Sequence, residues 1–500
     1  MGFNFLRFFL LFYFWVLSFV LFAQNNAQAY QLNIQRMDEK IRLDGVLDES
    51  FWEDVEIATN FWLNFPVGGT PVDDEVQTTV KITYDDDFIY LGVECYGKGP
   101  FLVQSLKRDN DSFWNGDAFA VVFDPVNERT NGVIFGVNPA GVQTEALITG
   151  EPARRGGQIS GYNKAWDNKW YTQASVTENG WTAEMMIPFK SLRFGRKGHW
   201  GINFIRVDAR NNANHSWAPV PIQFYGTDLG YLGQLIWDKP PRNEKGNISL
   251  VPYLLGNAYK DYESKSDLSQ SFALGMDAKI AINSNLNLDL TVNPDFSQVE
   301  VDDQVVNLTR FAISLPEKRQ FFTQNDDLFK DFGAFGDVTP FFSRQIGVSE
   351  DLDGNTIENK IIAGARLSGK LNSNLRLGFL NVLTKEDIKN EIPSNLNTVF
   401  TLRQKVFDRS NVSFFLIDRR TMDDYSFITK EEEKNSVTGI EYNLASKDSK
   451  WSGRAFFHKS FTEGLDEDDV ISGINLERNT LNNRIQMEII HGGEDFRSNL

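Results

Sequence analysis

Four carboxylates within residues 293–329 come closest, in type and spacing, to catalytic chemistry: Glu300, Asp302, Asp303 and Glu317. A glycosidase needs one protonated carboxylic acid and one carboxylate flanking the bond that it cleaves. The same stretch contains Arg310, Lys318 and Arg319, which would pair with these acids, and Phe321 and Phe322, which would pack against a wall. The composition therefore fits either a catalytic pair or a structural loop inside a barrel.

The rest of the sequence offers no further catalytic motif. It contains no G-x-S-x-G elbow, no H-E-x-x-H pair, no phosphate loop and no dinucleotide fingerprint. The four histidines are scattered, which argues against a histidine-based metal site. Because Cys95 is the single cysteine, no intramolecular disulfide forms, and stability must come from core burial and sheet closure.

Two groups of aspartates have the oxygen ligands that Ca²⁺ prefers. Asp85, Asp86 and Asp87 form an acidic turn, and the second group consists of Asp109, Asp111, Asp117 and Asp124. Asp85, Asp87 and Asp117 are the candidate ligands of a structural calcium ion. The alternative is that these aspartates are solvated turn residues that bind no ion, and we favour this interpretation. No other cofactor is expected.

The net charge of the chain bears on its partners, and its first residues bear on whether it is exported. The net charge of -18 and the lack of a run dense in Lys or Arg argue against a nucleic-acid partner. Arg7, the apolar run "FFLLFYFWVLSFVLF" and the small residues of "AQA" are typical of a cleaved signal peptide over residues 1–29. An uncleaved membrane anchor is the alternative. No cysteine follows the run, which disfavours a lipid anchor.

The elements that position these residues are predicted to be strands. Between about residues 34 and 237 the strands are short and separated by turn signals, which indicates a β-sandwich. The stretch "VQTTVKITYDDDFIYLGVECYG" predicts a hairpin that turns at residues 85–87. Three tryptophans are predicted to be core residues: Trp52, Trp181 and Trp200. The polar stretch "DKPPRNEKGN" is typical of a domain boundary.

Longer hairpins follow the boundary. In "FALGMDAKIAI" alternate residues share one apolar face, and "LNLDLTV" alternates in the same way. A related pattern recurs in "ARLSGKLNSNLRLGFLNVLT". About ten to twelve such strands, with turns of alternating length, match the signature of a transmembrane β-barrel. A large soluble β-domain is the alternative, but export, strand length and turn alternation favour the barrel.

The last residues, "HGGEDFRSNL", follow a strand directly and provide no closing partner for it. An open sheet edge in a bilayer would leave backbone groups without hydrogen bonds. We therefore expect this sequence to be a fragment of a longer barrel protein.

Six motifs of the first region occur in an order that resembles family 9 carbohydrate-binding modules: "IRLDGVLDESFWEDVEIATNF", "VKITYDDDFIYLGVEC", "RDNDSFWNGDAFAVVFDP", "FGVNPAG", "GWTAEMMIPF" and "WGINFIRVDARN". The resemblance implies a β-sandwich that clamps a sugar between two aromatic rings. Trp114 falls at the position of the first ring, and Phe224 or Tyr225 lies near the second. Such a role is physically reasonable because the apolar C–H face of a sugar stacks on an indole. Burial of Trp114 in the core is the alternative.

Two positions depart from that family. Ala120 replaces an acidic sugar ligand, and Gly136 replaces an arginine that clamps sugar hydroxyls. Without these hydrogen-bonding groups, stacking alone gives little sugar specificity. Asn138, Arg206 and Asp208 are the polar candidates nearby. The predicted carbohydrate-binding residues are Trp114, Asn138, Arg206, Phe224 and Tyr225.

The stretches "NPDFSQVE" and "NLTRF...LPEKRQFF", with the hairpins around them, are similar to the C-terminal β-domain of an uncharacterised outer-membrane protein family common in Bacteroidetes. Its members join this domain to a family 9-like module. The resemblance implies an all-β protein with a sandwich over residues 30–240 and an outer-membrane barrel over residues 247–500. A long loop would be inserted in the barrel at residues 293–345.

The sequence therefore predicts carbohydrate binding at the outer membrane in support of polysaccharide catabolism. The expected partners are a polysaccharide or oligosaccharide and outer-membrane lipid, with the sandwich on the periplasmic or the extracellular side. One alternative is a glycoside hydrolase acting on O-glycosyl bonds through the carboxylates of residues 293–329. Another is a structural or transport barrel whose sandwich contacts a protein partner.

Overall fold

The computed structural model describes residues 30–39, 41–149, 162–164, 166–192, 194, 198–241, 248–260, 269–283, 286–294, 317, 319–323, 325–330, 332–334, 339–354, 356–465 and 467–499. The predicted signal peptide lies outside these residues, as does 295–316 of the predicted inserted loop. The described chain is all-β with a few short helices, as the sequence predicted.

The strands of the first region are β1 (Gln31–Ile34), β2 (Ile57–Ala58), β3 (Trp62–Phe65), β4 (Thr70–Pro71), β5 (Thr78–Tyr84), β6 (Phe88–Tyr96), β7 (Ala118–Asp124), β8 (Asn131–Val137), β9 (Gln143–Thr149), β10 (Tyr162–Asn163), β11 (Tyr171–Thr177), β12 (Gly180–Pro188), β13 (His199–Asp208), β14 (Ala213–Ser216) and β15 (Gly233–Trp237). Its single-turn 3-10 helices are Ser50–Glu53, Asp74–Val76, Asp111–Asn115, Phe189–Ser191 and Leu229–Tyr231.

The strands of the second region are β16 (Ile248–Tyr259), β17 (Ser269–Asn283), β18 (Leu286–Val292), β19 (Val348–Glu350), β20 (Thr356–Glu358), β21 (Ile361–Lys370), β22 (Leu375–Thr384), β23 (Asn395–Val406), β24 (Ser410–Thr421), β25 (Lys434–Ala445), β26 (Trp451–Thr462), β27 (Val470–Asn479) and β28 (Arg484–Gly492). Its helices are α1 (Gln320–Thr323), α2 (Asp327–Lys330) and α3 (Lys430–Glu433), with 3-10 turns at Ser343–Gln345 and Ile388–Asn390. Within the described residues, no helix has the length and apolar character needed to cross a membrane.

Two sheets pack face to face in the first region. The larger sheet has the order β10-β9-β8-β7-β13-β14-β3-β4, with β15 paired to β13 and β1 parallel to β15. The smaller sheet has the order β11-β12-β6-β5-β2. The predicted hairpin is present, since β5 pairs with β6 up to Tyr84 opposite Ile89. Trp52, Trp181 and Trp200 are buried, which confirms their prediction as core residues.

The larger sheet is covered on both faces. All seven residues of β7 are buried, although only alternate residues can face the smaller sheet. Phe119, Val121 and Phe123 point into the core between the sheets. Ala120 and Val122 point to the opposite, outer face, where Leu229, Leu232, Trp114 and Tyr162 cover them. This outer face carries the site described below.

The second region forms one antiparallel sheet of 11 strands, in the order β16-β17-β18-β21-β22-β23-β24-β25-β26-β27-β28. Its first and last strands run in the same direction, because every neighbouring pair is antiparallel. Closing this sheet on itself would therefore require a parallel pair, whereas bacterial barrels have an even number of antiparallel strands. The described residues accordingly form an open sheet, and the predicted barrel, which the sequence analysis expected to be truncated, stays a prediction.

The two faces of this sheet differ in burial and in polarity, and its buried face carries polar side chains beside apolar ones. One face carries buried polar and charged side chains, among them Asp289, Arg366, Arg376, Thr401, Arg403, Glu441, His458 and Ser460. The other face exposes apolar side chains along the strands, among them Leu254, Phe272, Leu274, Ile282, Phe414, Ile440, Phe457, Ile474 and Ile489. The alternation predicted for "FALGMDAKIAI" is confirmed, because Phe272 and Leu274 lie on this exposed face.

A segment that we call the interior segment, the described residues between 317 and 346, covers the polar face. Its apolar side chains Phe322, Leu328, Phe329, Phe332, Phe341 and Ile346 pack against β21–β25. Asp327 accepts hydrogen bonds from Arg376, with Nη2 to Oδ1 at 3.1 Å, and lies 3.5 Å from Arg403 Nη1. Glu441 accepts from the Gly333 amide at 2.6 Å and contacts His458 at 2.8 Å. Paired charges and phenylalanines thus fix the segment, as the structural interpretation of this stretch predicted.

The sandwich contacts the sheet at its short turns. Glu128, between β7 and β8, pairs with Lys370. Asp228 accepts a hydrogen bond from Ser449 at 3.0 Å and lies 3.5 Å from Arg409. The Asn163 amide donates to Asp326 of the interior segment at 2.8 Å. The sandwich therefore lies over the end of the sheet where the strands are joined by short turns.

Asp327→Ala should destabilise the second region by about 3 kcal/mol, because it leaves the buried Arg376 and Arg403 guanidinium groups without their shared carboxylate. Chemical unfolding of the full chain in detergent, followed by circular dichroism, measures this loss. The control is Lys430→Ala, which removes an exposed pair with Glu463 and should cost less than about 0.5 kcal/mol. Equal stability of the two variants would contradict the role given to Asp327.

Candidate functional site

The floor of the site is a row of residues across three strands of the outer face. Ala120 of β7 lies opposite Gly136 of β8, which lies opposite Thr144 of β9. A Cβ atom at Gly136 would lie 2.8 Å from Thr144 Cγ2 and 3.4 Å from Trp114 Cη2. The indole of Trp114 can rest on the sheet here because Gly136 has no side chain.

A single-turn helix places Trp114 over this floor. The helix spans Asp111–Asn115, and its start is capped by Asn110, whose side chain accepts from the Ser112 amide at 2.9 Å. Phe113 is buried and meets the Trp114 ring edge to face, with centroids 5.0 Å apart. Trp114 itself is half-buried and packs against the apolar cluster of the outer face. One part of the ring is therefore packed and another is open to solvent.

Two hydroxyl groups lie beside the indole. Tyr162 of β10 packs against the same apolar cluster, and its phenol lies next to Trp114 and Thr144. Neither the Tyr162 hydroxyl nor the Thr144 hydroxyl makes a hydrogen bond of ordinary geometry with any described residue, although both oxygens are buried. Burial raises the pKa of Tyr162, so this phenol is neutral at ordinary pH.

Charged groups surround this patch. Asp109 lies beside Thr144, accepts from the Glu145 amide at 2.9 Å and adopts a positive φ of 56°. Burial raises its pKa above the ordinary value. At the rim, Lys164 of the β10 end forms an ion pair with Asp111. A half-exposed ring, free hydroxyls and carboxylates therefore occur together on one face.

A buried ion pair supports the patch from the inner side of β9. Glu145 is fully buried and receives hydrogen bonds from Arg108 and from the Trp170 indole, the latter at 3.0 Å. Burial raises the pKa of Glu145 to about 7, although both partners act in the opposite direction. Arg108 also donates to the Asn168 carbonyl at 2.6 Å. This pair ties the strand that carries Thr144 to the two loops next to it.

The structure buries three of the five predicted sugar contacts. Asn138 is buried. Its side-chain amide donates to the Ser105 carbonyl, and its side-chain oxygen accepts from the Ala140 and Val142 amides. Arg206 is buried on the core side and donates to backbone carbonyls, including Tyr96 at 2.7 Å. Phe224 is fully buried against Tyr231, with ring centroids 5.6 Å apart. These side chains present no surface to a ligand, so the candidate site is redrawn without them.

The other predicted residues lie apart from the Trp114 face. Tyr225 is partly exposed in the loop after β14. Asp208 is buried and accepts from the Asn211 side chain at 2.8 Å. Thr144 and Tyr162 were not among the predicted site residues, and Asp109 was named only in the second group of aspartates. Alternation in "QTEALIT" places Thr144 on the outer face once β8 and β9 are paired, but no sequence signal identified Tyr162, because β10 pairs at long range.

The candidate calcium ligands are not brought together. Asp85 accepts from the Asp87 and Phe88 amides and from the Tyr90 hydroxyl, all within 2.8 Å, as a turn residue does. Asp117 accepts from the Leu102 amide at 2.6 Å, in the other sheet. Across the part of the chain that the structure describes, no three His, Cys, Asp or Glu side chains form a group that could hold a metal ion.

The candidate catalytic carboxylates are described only at Glu317. Its side chain receives hydrogen bonds from Arg319, with Nη2 to Oε2 at 2.6 Å, and from Ser343 at 2.7 Å. Glu300, Asp302 and Asp303 lie outside the described residues. Glu317 therefore has the ion-paired position that the structural interpretation of this stretch predicted.

The structure defines an all-β protein with a sandwich-like first region and a large antiparallel sheet. Residues 247–497 match the family described as "Domain of unknown function (DUF5916)", and the chain belongs to this family. The comparison with curated proteins gave no match.

Three of the solved structures similar to this chain each cover 42–43% of it. A family 9 carbohydrate-binding module from Caldicellulosiruptor kristjanssonii in complex with cellotriose is 16% identical, covers 43% of this chain and 95% of the module, and has a TM-score of 0.28. The complex of this module with glucose is 15% identical, covers 43% of this chain and 98% of the module, and has a TM-score of 0.29. A protein of proposed carbohydrate-binding role from Bacteroides uniformis ATCC 8492 is 15% identical, covers 42% of this chain and 99% of its own, and has a TM-score of 0.33. All three similarities are weak.

Gly136→Val should push the Trp114 ring off the sheet, because the first carbon of the new side chain would lie 3.4 Å from Trp114 Cη2 and its methyl groups would need the space that the ring fills. We expect a loss of about 1–3 kcal/mol in unfolding free energy and a red shift of the tryptophan emission. Fluorescence of the full chain measures both. In a Trp114→Phe background the same substitution should cause no red shift, and a shift that persists there would contradict this packing.

Proposed function

We propose that the sandwich binds a carbohydrate on its outer face, with Trp114 as the stacking platform. One observation carries the proposal: a half-exposed indole lies on a floor without a side chain at Gly136, beside two buried hydroxyls that make no hydrogen bond of ordinary geometry to a described residue. A sugar needs an aromatic surface for its C–H face and polar groups for its hydroxyls. The Trp114 face offers both within one small area.

The resemblance of the first region to family 9 carbohydrate-binding modules in sequence supports the same proposal. The motif "RDNDSFWNGDAFAVVFDP" places Trp114 at the position of an aromatic ring that stacks on sugar. The substitutions at Ala120 and Gly136 remove two polar contacts of that family and make room for the indole. The proposed binding mode therefore keeps the platform and changes its polar partners.

We further propose that the 11-stranded sheet is the wall of an outer-membrane β-barrel. Its exposed apolar face and buried polar face reverse the pattern of a soluble sheet, and a large exposed apolar surface is unfavourable in water. In lipid the same face is in its preferred solvent. Paired charges such as Arg366 with Asp289, at 2.9 Å, then lie in the interior, away from the hydrocarbon.

The contacts between the two regions support a periplasmic sandwich. Short turns of outer-membrane barrels face the periplasm, and long loops face the outside. The sandwich contacts Lys370, Arg409 and Ser449, which lie at the short turns after β21, β23 and β25. In this arrangement the sandwich would meet oligosaccharides in the periplasm, in support of polysaccharide catabolism.

Trp114→Ala should weaken oligosaccharide binding by at least about tenfold, because stacking on the indole is lost. Titration of the full chain in detergent with cello-, xylo- and gluco-oligosaccharides, followed by isothermal calorimetry, measures the affinity. Trp451→Ala, which removes an exposed tryptophan of the sheet, is the control and should bind like the wild type. Binding by the wild type that is insensitive to Trp114→Ala would remove Trp114 as the platform.

Ile440→Lys should destabilise the protein in lipid bilayers by about 2–4 kcal/mol, since it places a charge in the middle of the exposed apolar face. Gln404→Lys, near the turn after β23, is the control and should cost about 0–1 kcal/mol. Equilibrium unfolding from vesicles measures both values. A soluble sheet would tolerate Lys at both exposed positions alike, and this result would contradict the membrane proposal.

A further inference from the structure

We infer that Thr144, Tyr162 and Asp109 are the polar contacts of the carbohydrate site, and that the site takes neutral sugars in preference to sugar acids. This inference rests on the proposed function and deepens it. It transfers the hydrogen-bonding role from β7 and β8, where Ala120 and Gly136 have no polar side chain, to β9, β10 and the loop before β7.

The two hydroxyls are unusual because both are buried and neither makes a hydrogen bond of ordinary geometry to a described residue. Thr144 is 1% exposed, and Asp109 and Tyr162 are the polar groups beside its hydroxyl. The Tyr162 hydroxyl is buried in the same way. Burying a hydroxyl without a partner is unfavourable, so valine and phenylalanine would serve the fold better at these positions. Two such groups beside one half-exposed tryptophan are accounted for by a ligand that supplies the missing partners.

Asp109 completes the set as an acceptor. Its Oδ1 atom is fixed by the Glu145 amide at 2.9 Å, and the carboxylate lies beside Thr144. Its positive φ of 56° is uncommon for a residue other than glycine, and such strain is concentrated at binding sites. A carboxylate oxygen is the strongest acceptor available for a sugar hydroxyl.

The charges around the site favour a neutral ligand. Arg108 beside the patch pairs with Glu145 and Asp167, and Lys164 at its rim pairs with Asp111. Asp109 adds a further negative charge. The carboxylate of a uronic acid would be repelled by these described carboxylates, whereas a neutral pyranose carries only hydroxyls.

Access to the hydroxyls requires a movement of Trp114. Both oxygens are buried while the indole rests on Gly136. The ring is half-exposed and sits in a single-turn helix, so a rotation about its side-chain bonds opens the floor without moving the sheet. The sugar then lies between the indole and the row Ala120, Gly136 and Thr144.

The test compares two isosteric variants, Tyr162→Phe and Thr144→Val, in the full chain in detergent. We expect each to bind cellotetraose about tenfold more weakly than the wild type, with an unfolding midpoint that is unchanged or higher. Ser191→Ala removes an exposed hydroxyl bonded to the Lys169 carbonyl and is the control, with unchanged affinity. A lower midpoint in both isosteric variants would assign the hydroxyls to the fold and overturn the inference.

The charge preference is tested with an acidic probe, trigalacturonate, beside the neutral probes cellotetraose and xylotetraose. The wild type should bind a neutral probe at least tenfold more tightly than trigalacturonate. Asp109→Asn should narrow the ratio between the affinities for a neutral probe and for trigalacturonate, because it removes a negative charge. Asparagine tolerates the positive φ and keeps an acceptor oxygen for the Glu145 amide. Equal affinities for neutral and acidic probes in the wild type would overturn the preference.

Failure of the two proposals gives different results. If Trp114→Ala abolishes binding while Tyr162→Phe and Thr144→Val leave it unchanged, carbohydrate binding stands and the assignment of the polar contacts falls. If the wild type binds none of the three probes or the longer oligosaccharides, carbohydrate binding itself falls, and the assignment falls with it.

Discussion

Asp327 neutralises two arginines, Arg376 and Arg403, on the buried face of the 11-stranded sheet, and the arrangement of the second region depends on this pairing. Three charges at one place are tolerable only when they are paired, because a lone buried charge costs several kcal/mol. Asp327 brings the interior segment against the sheet, and Phe329 then packs on β22 at Gly378, where a side chain would collide with it. With its polar face filled in this way, the sheet is left with apolar side chains on its outer surface.

The same segment connects the sheet to the sandwich. Asp326, the residue before Asp327, accepts a hydrogen bond from Asn163, and Asn163 follows Tyr162 in β10. Two neighbouring residues of one short strand therefore contact different parts of the molecule, Tyr162 at the Trp114 face and Asn163 at the interior segment. The position of the carbohydrate face relative to the sheet follows from these contacts and from the ion pair between Glu128 and Lys370.

Local patterns predicted much of this fold, since strand alternation depends only on neighbouring residues. The hairpin at residues 85–87, the core positions of Trp52, Trp181 and Trp200, and the exposed face of β17 all followed from the sequence. Properties that depend on distant partners did not. Arg206 is polar in type, yet it is buried because the carbonyls of Val76, Gln77 and Tyr96 surround its guanidinium group. Phe224 and Tyr225 are neighbours in sequence, but packing against Tyr231 buries only Phe224.

Saturation-transfer NMR on the full chain with cellotetraose tests the central claim most directly, because it detects which sugar protons contact the protein. The account predicts transfer to the ring C–H protons of the sugar in the wild type, and loss of this transfer in Trp114→Ala. Absence of transfer in the wild type, or equal transfer in the variant, would contradict a carbohydrate site built on Trp114.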